Sequence, residues 1–328
     1  MRIIYDCLGG DNAPDAIIDG AIKSYEKYNI TPILCGKPDE IKEYLSSKNI
    51  ENNFEILEAN SKIENDEKPV VALRRKKDSS IVVGLNYLKD DKADAFISAG
   101  STGAILAGGL FIVKKLDNVD RSPIATSIPT KSNPFLLLDA GANVDIDAKT
   151  LNQFATLGTI YLENVEGIEN PKVGLLNNGS EEGKGNKLTL EAYNLLKENK
   201  NINFIGNVEP TTMPFGGVDI VVADGFHGNI FIKTYEATGA MFMSSIKEIL
   251  GSIKDEEIVA KILPYIKEYG SRFASSSVGG APLLGLNKPV FKAHGSSSTE
   301  DIVGATNQAI KYIKNNVTSI MDEKLKEI

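Results

Sequence analysis

The chain has 328 residues, 42% of them hydrophobic, enough for one large α/β domain or two small ones. Its 36 basic and 44 acidic side chains leave a net charge of −8, and it has no Trp and few aromatics, so it lacks the basic, base-stacking surface of a nucleic-acid binder. Cys7 and Cys35 lie in apolar strand-like runs and read as buried thiols of a reducing cytoplasm. Arg2-Ile3-Ile4-Tyr5 enters a strand pattern at once, which predicts no secretory leader.

The first predicted strand, residues 3–5, runs into Asp6-Cys7-Leu8-Gly9-Gly10-Asp11-Asn12, and further strands are read at 31–35 and 54–58. Arg74-Arg75-Lys76-Lys77 is the densest basic run, ordinarily a solvated helix face. Residues 95–113 carry no charge and match a membrane span in length. Ser98-Ala99-Gly100-Ser101-Thr102-Gly103 breaks that stretch into a short strand (95–98), a loop and an Ala/Leu/Gly-rich helix. Strands follow at 124–128, 135–138, 172–176, 203–206 and 219–223. The one at 135–138 ends in Asp139-Ala140-Gly141-Ala142-Asn143, and the one at 219–223 in Asp224-Gly225-Phe226-His227-Gly228-Asn229.

The strand at 172–176 leads through Asn177 into Asn178-Gly179-Ser180-Glu181-Glu182-Gly183-Lys184-Gly185-Asn186 and then a helix over 188–197. A strand, a glycine loop bearing one lysine and a helix present a cation and free backbone N–H groups to an anion. The loop lacks both the spacing of a Walker A motif and the third glycine of a dinucleotide fingerprint. Taken alone it fits a solvated turn as well as a phosphate site. Residues 241–269 predict two helices. One stripe is Ile246, Ile249, Leu250 and Ile253; the other is Ile258, Val259, Ile262, Leu263 and Ile266, interrupted by Pro264.

Many strands are apolar on both faces, as in sheets covered by helices on each side. The expected architecture is a three-layer α/β/α sandwich with a largely parallel sheet, a single catalytic domain over 1–328 with a helical hairpin at about 236–270. Five predicted strands end in small, polar, Gly-bearing loops. The carboxyl ends of parallel strands lie on one edge, so the expectation is a single cleft there. Two histidines with no Cys or carboxylate at ligand spacing predict no metal site.

These loops resemble the phosphate acyltransferase (PlsX) family of bacterial phospholipid synthesis. The resemblance runs over nearly the whole chain, through residues 6–14, Ala72-Leu73-Arg74-Arg75-Lys76-Lys77-Asp78-Ser79-Ser80, 98–103, 138–145, 181–186, Phe204-Ile205-Gly206-Asn207-Val208-Glu209, 224–229 and Lys292-Ala293-His294-Gly295-Ser296-Ser297. It implies transfer of an acyl group from acyl carrier protein to inorganic phosphate, feeding glycerol-3-phosphate acylation, without a cofactor. It also implies a fold like the isocitrate/isopropylmalate dehydrogenases, a homodimer, and a cytoplasmic protein whose projecting hairpin touches the membrane. The chain departs from the family at Asn178 and Ser180, where an aliphatic and a glutamate are expected, at His227, where an aliphatic is usual, and at the less basic Lys131-Ser132-Asn133.

On that basis Lys184 is expected to hold phosphate, and Asn229 to donate to the oxyanion or the phosphate. Substrate contacts are expected from Asp6, Gly9, Gly10, Asp11, Asn12, Ser98, Gly100, Ser101, Thr102 and Gly103 in the early loops. Later in the chain they are expected from Asn143, Asn177, Gly183, Gly185, Asp224 and Gly228. Arg74 is assigned to phosphate or an acidic carrier protein, and His294 to the site as base or structural group. For Asp6, Asp139 and Asp224, helix capping or loop orientation fits equally well. Three rival readings are a phosphotransacylase using acyl-CoA, an NAD- and metal-dependent dehydrogenase on the same fold, and a non-catalytic carrier-protein scaffold.

Overall fold

The computed structural model describes residues 1–50, 54–274 and 279–326. In chain order the first part comprises β1 (Arg2–Asp6), α1 (Asp15–Tyr28), β2 (Thr31–Gly36), α2 (Pro38–Ser47), β3 (Glu55–Glu58), α3 (Pro69–Arg75), α4 (Ser80–Lys89), β4 (Ala95–Ser98) and α5 (Thr102–Gly108). The middle comprises β5 (Thr126–Ile128), β6 (Phe135–Leu138), α6 (Ala148–Tyr161), β7 (Lys172–Leu176), α7 (Lys187–Glu198), β8 (Asn203–Val208) and β9 (Ile220–Val222). The remainder is α8 (Gly225–Ser252), α9 (Glu256–Ala274), β10 (Ala281–Pro282), β11 (Val290–Lys292), α10 (Thr299–Lys314) and α11 (Val317–Leu325).

The strands form two sheets where one was expected. One has the order β10-β11-β4-β1-β2-β3 and the other β5-β6-β9-β7-β8. All neighbours are parallel except β10 with β11 and β5 with β6. At the centre of the first sheet Ile4 of β1 pairs with Ile33 on one side and Phe96 on the other, and all three are fully buried. That burial explains the unbroken apolar run. Both sheets carry such runs, so sequence pattern alone gives no sign of where one ends and the other begins.

One buried cluster nevertheless spans the two sheets, containing Ile3 and Tyr5 of the first and Leu138, Val173 and Ile220 of the second. Helix α6 supplies much of it. Leu151, Phe154, Leu157 and Ile160 are buried, and the helix packs on β6, β9, α7 and α11. Gly158 lets it come close, because a Cβ there would lie 2.6 Å from Leu138 Cδ1.

The two helices predicted over 241–269 are α8 and α9, though α8 starts earlier, at the tip of β9. Its 28 residues span about 42 Å at 1.5 Å per residue. Among the described residues of α8, only Gly225, Gly228 and Phe231 are buried, and Tyr235, whose hydroxyl donates to the Pro129 carbonyl at 2.9 Å, still packs on the body, so the helix leaves it after its third turn. Met241, Phe242, Ile249, Ile258, Ile262 and Tyr265 on the hairpin are exposed. Among the described residues no helix is long and apolar enough to cross a membrane, and the uncharged stretch 95–113 folds as β4, its tip loop, α5 and a short π-helical turn.

Candidate active site

In the first sheet the tips of β1, β4 and β11 interlock. Asp6 is fully buried; its Oδ1 accepts from the Leu8 N–H at 3.1 Å and its Oδ2 from the Ser98 hydroxyl at 2.5 Å. Burial pushes its carboxyl above the usual range while these donors pull it down. Gly9 is there because the tips touch: a Cβ would sit 2.6 Å from Asp6 Oδ2 and 2.7 Å from the Gly100 nitrogen. The Asp11 N–H donates to the Gly295 carbonyl at 2.7 Å, and Asn12 Nδ2 reaches the carbonyls of Ser296 and Ser297. Gly9, Gly10, Asp11, Gly100, Ser101 and Gly295 thus line a small polar hollow of about 60 Å³.

In the second sheet Asp139, at the end of β6, is also fully buried. Its Oδ1 accepts from the N–H groups of Ile124 (3.0 Å), Gly141 (3.3 Å) and Ala142 (3.1 Å). Its Oδ2 accepts from the Asn143 N–H (2.5 Å) and Asn143 Nδ2 (2.9 Å). The first turn of α8 rests on this loop: a Cβ at Gly228 would collide with the Asp139 carbonyl, and one at Gly225 would lie 2.8 Å from the Asn143 nitrogen. Asp224 caps α8, its Oδ1 accepting from the Phe226 and His227 N–H groups at 3.0 Å each; its Oδ2 meets His227 Nδ1 at 2.5 Å. One turn on, Asn229 is exposed beside Gly141, and its amide makes no hydrogen bond among the described residues.

The lysine loop between β7 and α7 is pinned at both ends. Asn177 Nδ2 donates to the Lys184 carbonyl at 3.1 Å, and Asn207 Nδ2 to the Glu181 carbonyl at 2.8 Å. Asn186 caps α7 in a reciprocal box with Thr189. Glu182, which could neutralise Lys184, is instead bound to Lys197 at 3.0 Å. Among the described residues the exposed Lys184 ammonium has no carboxylate partner. The loop through Asn177 and Gly185 forms one wall of a cavity of about 480 Å³, and the first two turns of α8 form another.

Glycine loops fastened by buried carboxylates, an unpaired ammonium on the β7–α7 loop and an unpaired amide on the first turns of α8 suit binding of a small anion. Comparison with known proteins agrees with an anion-using acyltransferase frame. Residues 1–320 match the profile of the family described as "Fatty acid synthesis protein". The chain belongs to this family. Curated relatives named phosphate acyltransferase include one from Caldicellulosiruptor bescii, 45% identical over 99% of this chain and 98% of its own. Another, from Bacillus subtilis, is 42% identical over 100% of this chain and 98% of its own. Among solved structures, the EutD phosphotransacetylase of Staphylococcus aureus superposes with a TM-score of 0.63 at 17% identity, covering 95% of this chain and 94% of that one. A phosphotransacetylase of Streptococcus pyogenes gives 0.60 at 20% identity, covering 94% of each chain. The fold of this family member is therefore the α/β fold of those enzymes.

Two hollows lie at the strand tips, one at each sheet, and the expected residues divide by the sheet whose loops bear them. Asp6, Gly9, Gly10, Asp11, Asn12, Ser98, Gly100, Ser101, Thr102, Gly103 and His294 belong to the first group. Asn143, Asn177, Gly183, Lys184, Gly185, Asp224, Gly228 and Asn229 belong to the second. The groups adjoin where Ala140 and Ala142 pack against the cluster containing Ala104, Ile105 and Ile124. Asp6, Asp139 and Asp224 spend their carboxylate oxygens on the protein itself, in the loop-orienting and capping role named above, and the Asn143 amide is likewise bonded to the Ser122 carbonyl and to Asp139. His294 is exposed, with Nδ1 2.8 Å from Ser296 Oγ. Arg74 is exposed near the end of α3, which packs on α5 through Pro69 against Gly103.

Sequence reasoning missed Lys292. It is partly buried on β11 opposite Ser98, its ammonium bonded to the Ala293 carbonyl. Burial lowers its pKa to about 8, against the pull of Asp11 and Asp6. The signals in the sequence were a lysine at the end of an apolar triplet and its place at the head of the Lys292–Ser297 motif. Cys7 and Cys35 are buried free thiols that burial pushes well above the usual range, which excludes them as nucleophiles.

Proposed function

We propose that this chain is a phosphate acyltransferase that moves the acyl group of acyl–acyl carrier protein to inorganic phosphate, supplying acyl phosphate for glycerol-3-phosphate acylation. The observation that carries this reading is the unneutralised Lys184, on a glycine loop whose Asn177 and Gly185 line a cavity walled on another side by the first two turns of α8, the turns that also bear the unbonded Asn229 amide. The full-length likeness to relatives named phosphate acyltransferase supports it.

In the reaction an oxygen of hydrogen phosphate attacks the thioester carbonyl. The new C–O bond forms, the C–S bond breaks, and the proton carried by the phosphate ends on the pantetheine sulfur. A thiolate leaves readily, so the demands are placement of an anion beside an acyl group and stabilisation of the oxyanion. Lys184 and the N–H groups around Gly183 and Gly185 answer the first demand; the Asn229 amide answers the second. Asp139 and Asn143 hold the floor under Asn229, and Asn177 and Asn207 hold Lys184 in place. On the same reading the protein is a cytoplasmic homodimer resting on the membrane through the apolar residues of the α8–α9 hairpin.

The test follows release of free carrier protein from acyl–acyl carrier protein, with and without inorganic phosphate. Phosphate-dependent release is expected from the wild type, and acyl-CoA is a poorer donor. Lys184→Ala is expected to cut acyl phosphate formation by at least about a hundredfold, the scale of losing one transition-state contact, with an unchanged circular dichroism spectrum. Near-normal turnover in that variant removes Lys184 from the mechanism. Binding of the carrier without release identifies a scaffold, and equal use of acyl-CoA identifies the other transacylase class.

A further inference from the structure

A site for phosphate alone leaves most of the 480 Å³ cavity beside the lysine loop without a task. Its inner walls are Leu151 of α6, Leu175 of β7, Ala223 after β9 and Phe231 of α8, each less than a tenth exposed. Of its lining side chains only Asp224 and His227 ionise, and they are bonded to each other at 2.5 Å. Its volume lies within the range of small-molecule sites. A hollow with aliphatic and aromatic walls favours apolar occupants, since water there finds few hydrogen-bonding partners. Its polar groups are Asn177, Asn178, Gly185, Asn186 and Thr189 on and beside the lysine loop and the Asp224–His227 pair at the start of α8, which places the change from apolar to polar at the end of the cavity where these two elements begin.

We propose that this cavity receives the acyl chain of the thioester substrate, with the carbonyl at the lysine-loop end and the methylenes between α6, β7 and α8, so that its depth sets the preferred chain length. The proposal rests on the acyltransferase reading and adds to it the part of the substrate that the cavity selects. Ile230, 52% exposed on the rim, leaves one side open for the chain to enter. The β-strand walls are fixed by ladder hydrogen bonds, so the chain-length limit comes from side-chain size at a few positions.

The experiment alters those positions. Ala223→Leu and Leu151→Phe shorten the cavity from two walls, and Phe231→Ala deepens it from a third. The ratio of kcat/KM for palmitoyl- over butyryl-acyl carrier protein, at fixed inorganic phosphate, is measured for each, with the unfolding midpoint as the control for folding. One methylene excluded from an apolar pocket is worth roughly ten- to 200-fold. The shortening variants are therefore expected to lower the ratio at least about tenfold, and the deepening variant to raise it. Binding of parinaric acid, a fluorescent fatty acid, reads the cavity without turnover and is expected to weaken about tenfold in Ala223→Leu. Folded variants that scale all chain lengths equally, or leave them and parinaric acid unaffected, overturn the proposal. A wild type that binds parinaric acid in this cavity but releases no carrier protein in phosphate overturns the acyltransferase reading instead.

Discussion

At the scale of single residues, the chemistry depends on where charge is and is not compensated. Lys292 is a cation held partly out of water, and its pKa falls from 10.5 to about 8. The folded protein therefore releases this proton first, and between pH 8 and 10.5 the unfolded chain binds more protons. Stability is expected to rise with pH across that window, by on the order of 3 kcal/mol in total. Lys292→Met removes the penalty. It is expected to raise stability at pH 7 by up to about 3 kcal/mol and to flatten the profile, as read by urea unfolding at pH 7 and 10. An unchanged slope means that the lysine is solvated. Asp139 is a carboxylate that burial pushes above the usual range, but its two oxygens both accept from N–H groups that pull it back. Asp139→Asn puts an NH₂ against donors and is expected to cost about 2–4 kcal/mol. It also loosens the floor beneath Asn229, so kcat is expected to fall more than KM changes. The glycines and acids of these tips were legible as loop residues, because only small or capping residues suit a turn after a strand. Which acid faces substrate and which fastens a loop was not, since both roles use the same side chain. Lys292 was illegible for a related reason: its burial depends on contacts across a sheet, with Ser98 nearly 200 residues away in sequence.

At the scale of elements, the lysine loop shows how a local conformation is enforced. Gly185 has φ +107°, and a Cβ there would strike Thr189 Oγ1 and come within 2.7 Å of Asn177 Oδ1. Gly183, two residues earlier, has open space around it. Gly185→Ala is expected to cost about 1–3 kcal/mol of backbone strain and to lower kcat/KM on the order of a hundredfold through a displaced Lys184. Gly183→Ala is expected to keep wild-type stability, so any rise in the KM for phosphate in that variant reports a ligand contact. Equal effects of the two substitutions, measured by steady-state kinetics and thermal unfolding, contradict this account of the loop. All nine predicted strands correspond to β1–β9 within a few residues. The strands β10 and β11, of two and three residues, were missed because such short runs carry no periodic signal. Helix α8 was predicted to begin too late, because its first turns face the β6 loop and carry Gly225 and Gly228 where an apolar stripe would otherwise show.

At the scale of the whole molecule, two sheets share one cluster, and α6 lies within it with Leu157 and Phe154 fully buried. The sequence has long apolar runs throughout and no linker, so the division into two sheets was not legible in it. A continuous cluster couples the stability of its parts. If the sheets open separately, amide exchange protects them to different free energies; if they open together, the values coincide. The buried continuity of Ile3, Tyr5, Val173 and Ile220 favours the second outcome. The slowest amides of β1, such as Ile4, and of β7, such as Leu175, are expected to exchange with the same opening free energy. Leu157→Ala, which empties a core position of α6, is expected to cost about 2–5 kcal/mol and to lower both values equally. A loss confined to the β7 amides in that variant divides the chain into two independently stable halves. The two hollows at the strand tips then become parts of separate bodies, and any ligand bridging them has to hold those bodies together.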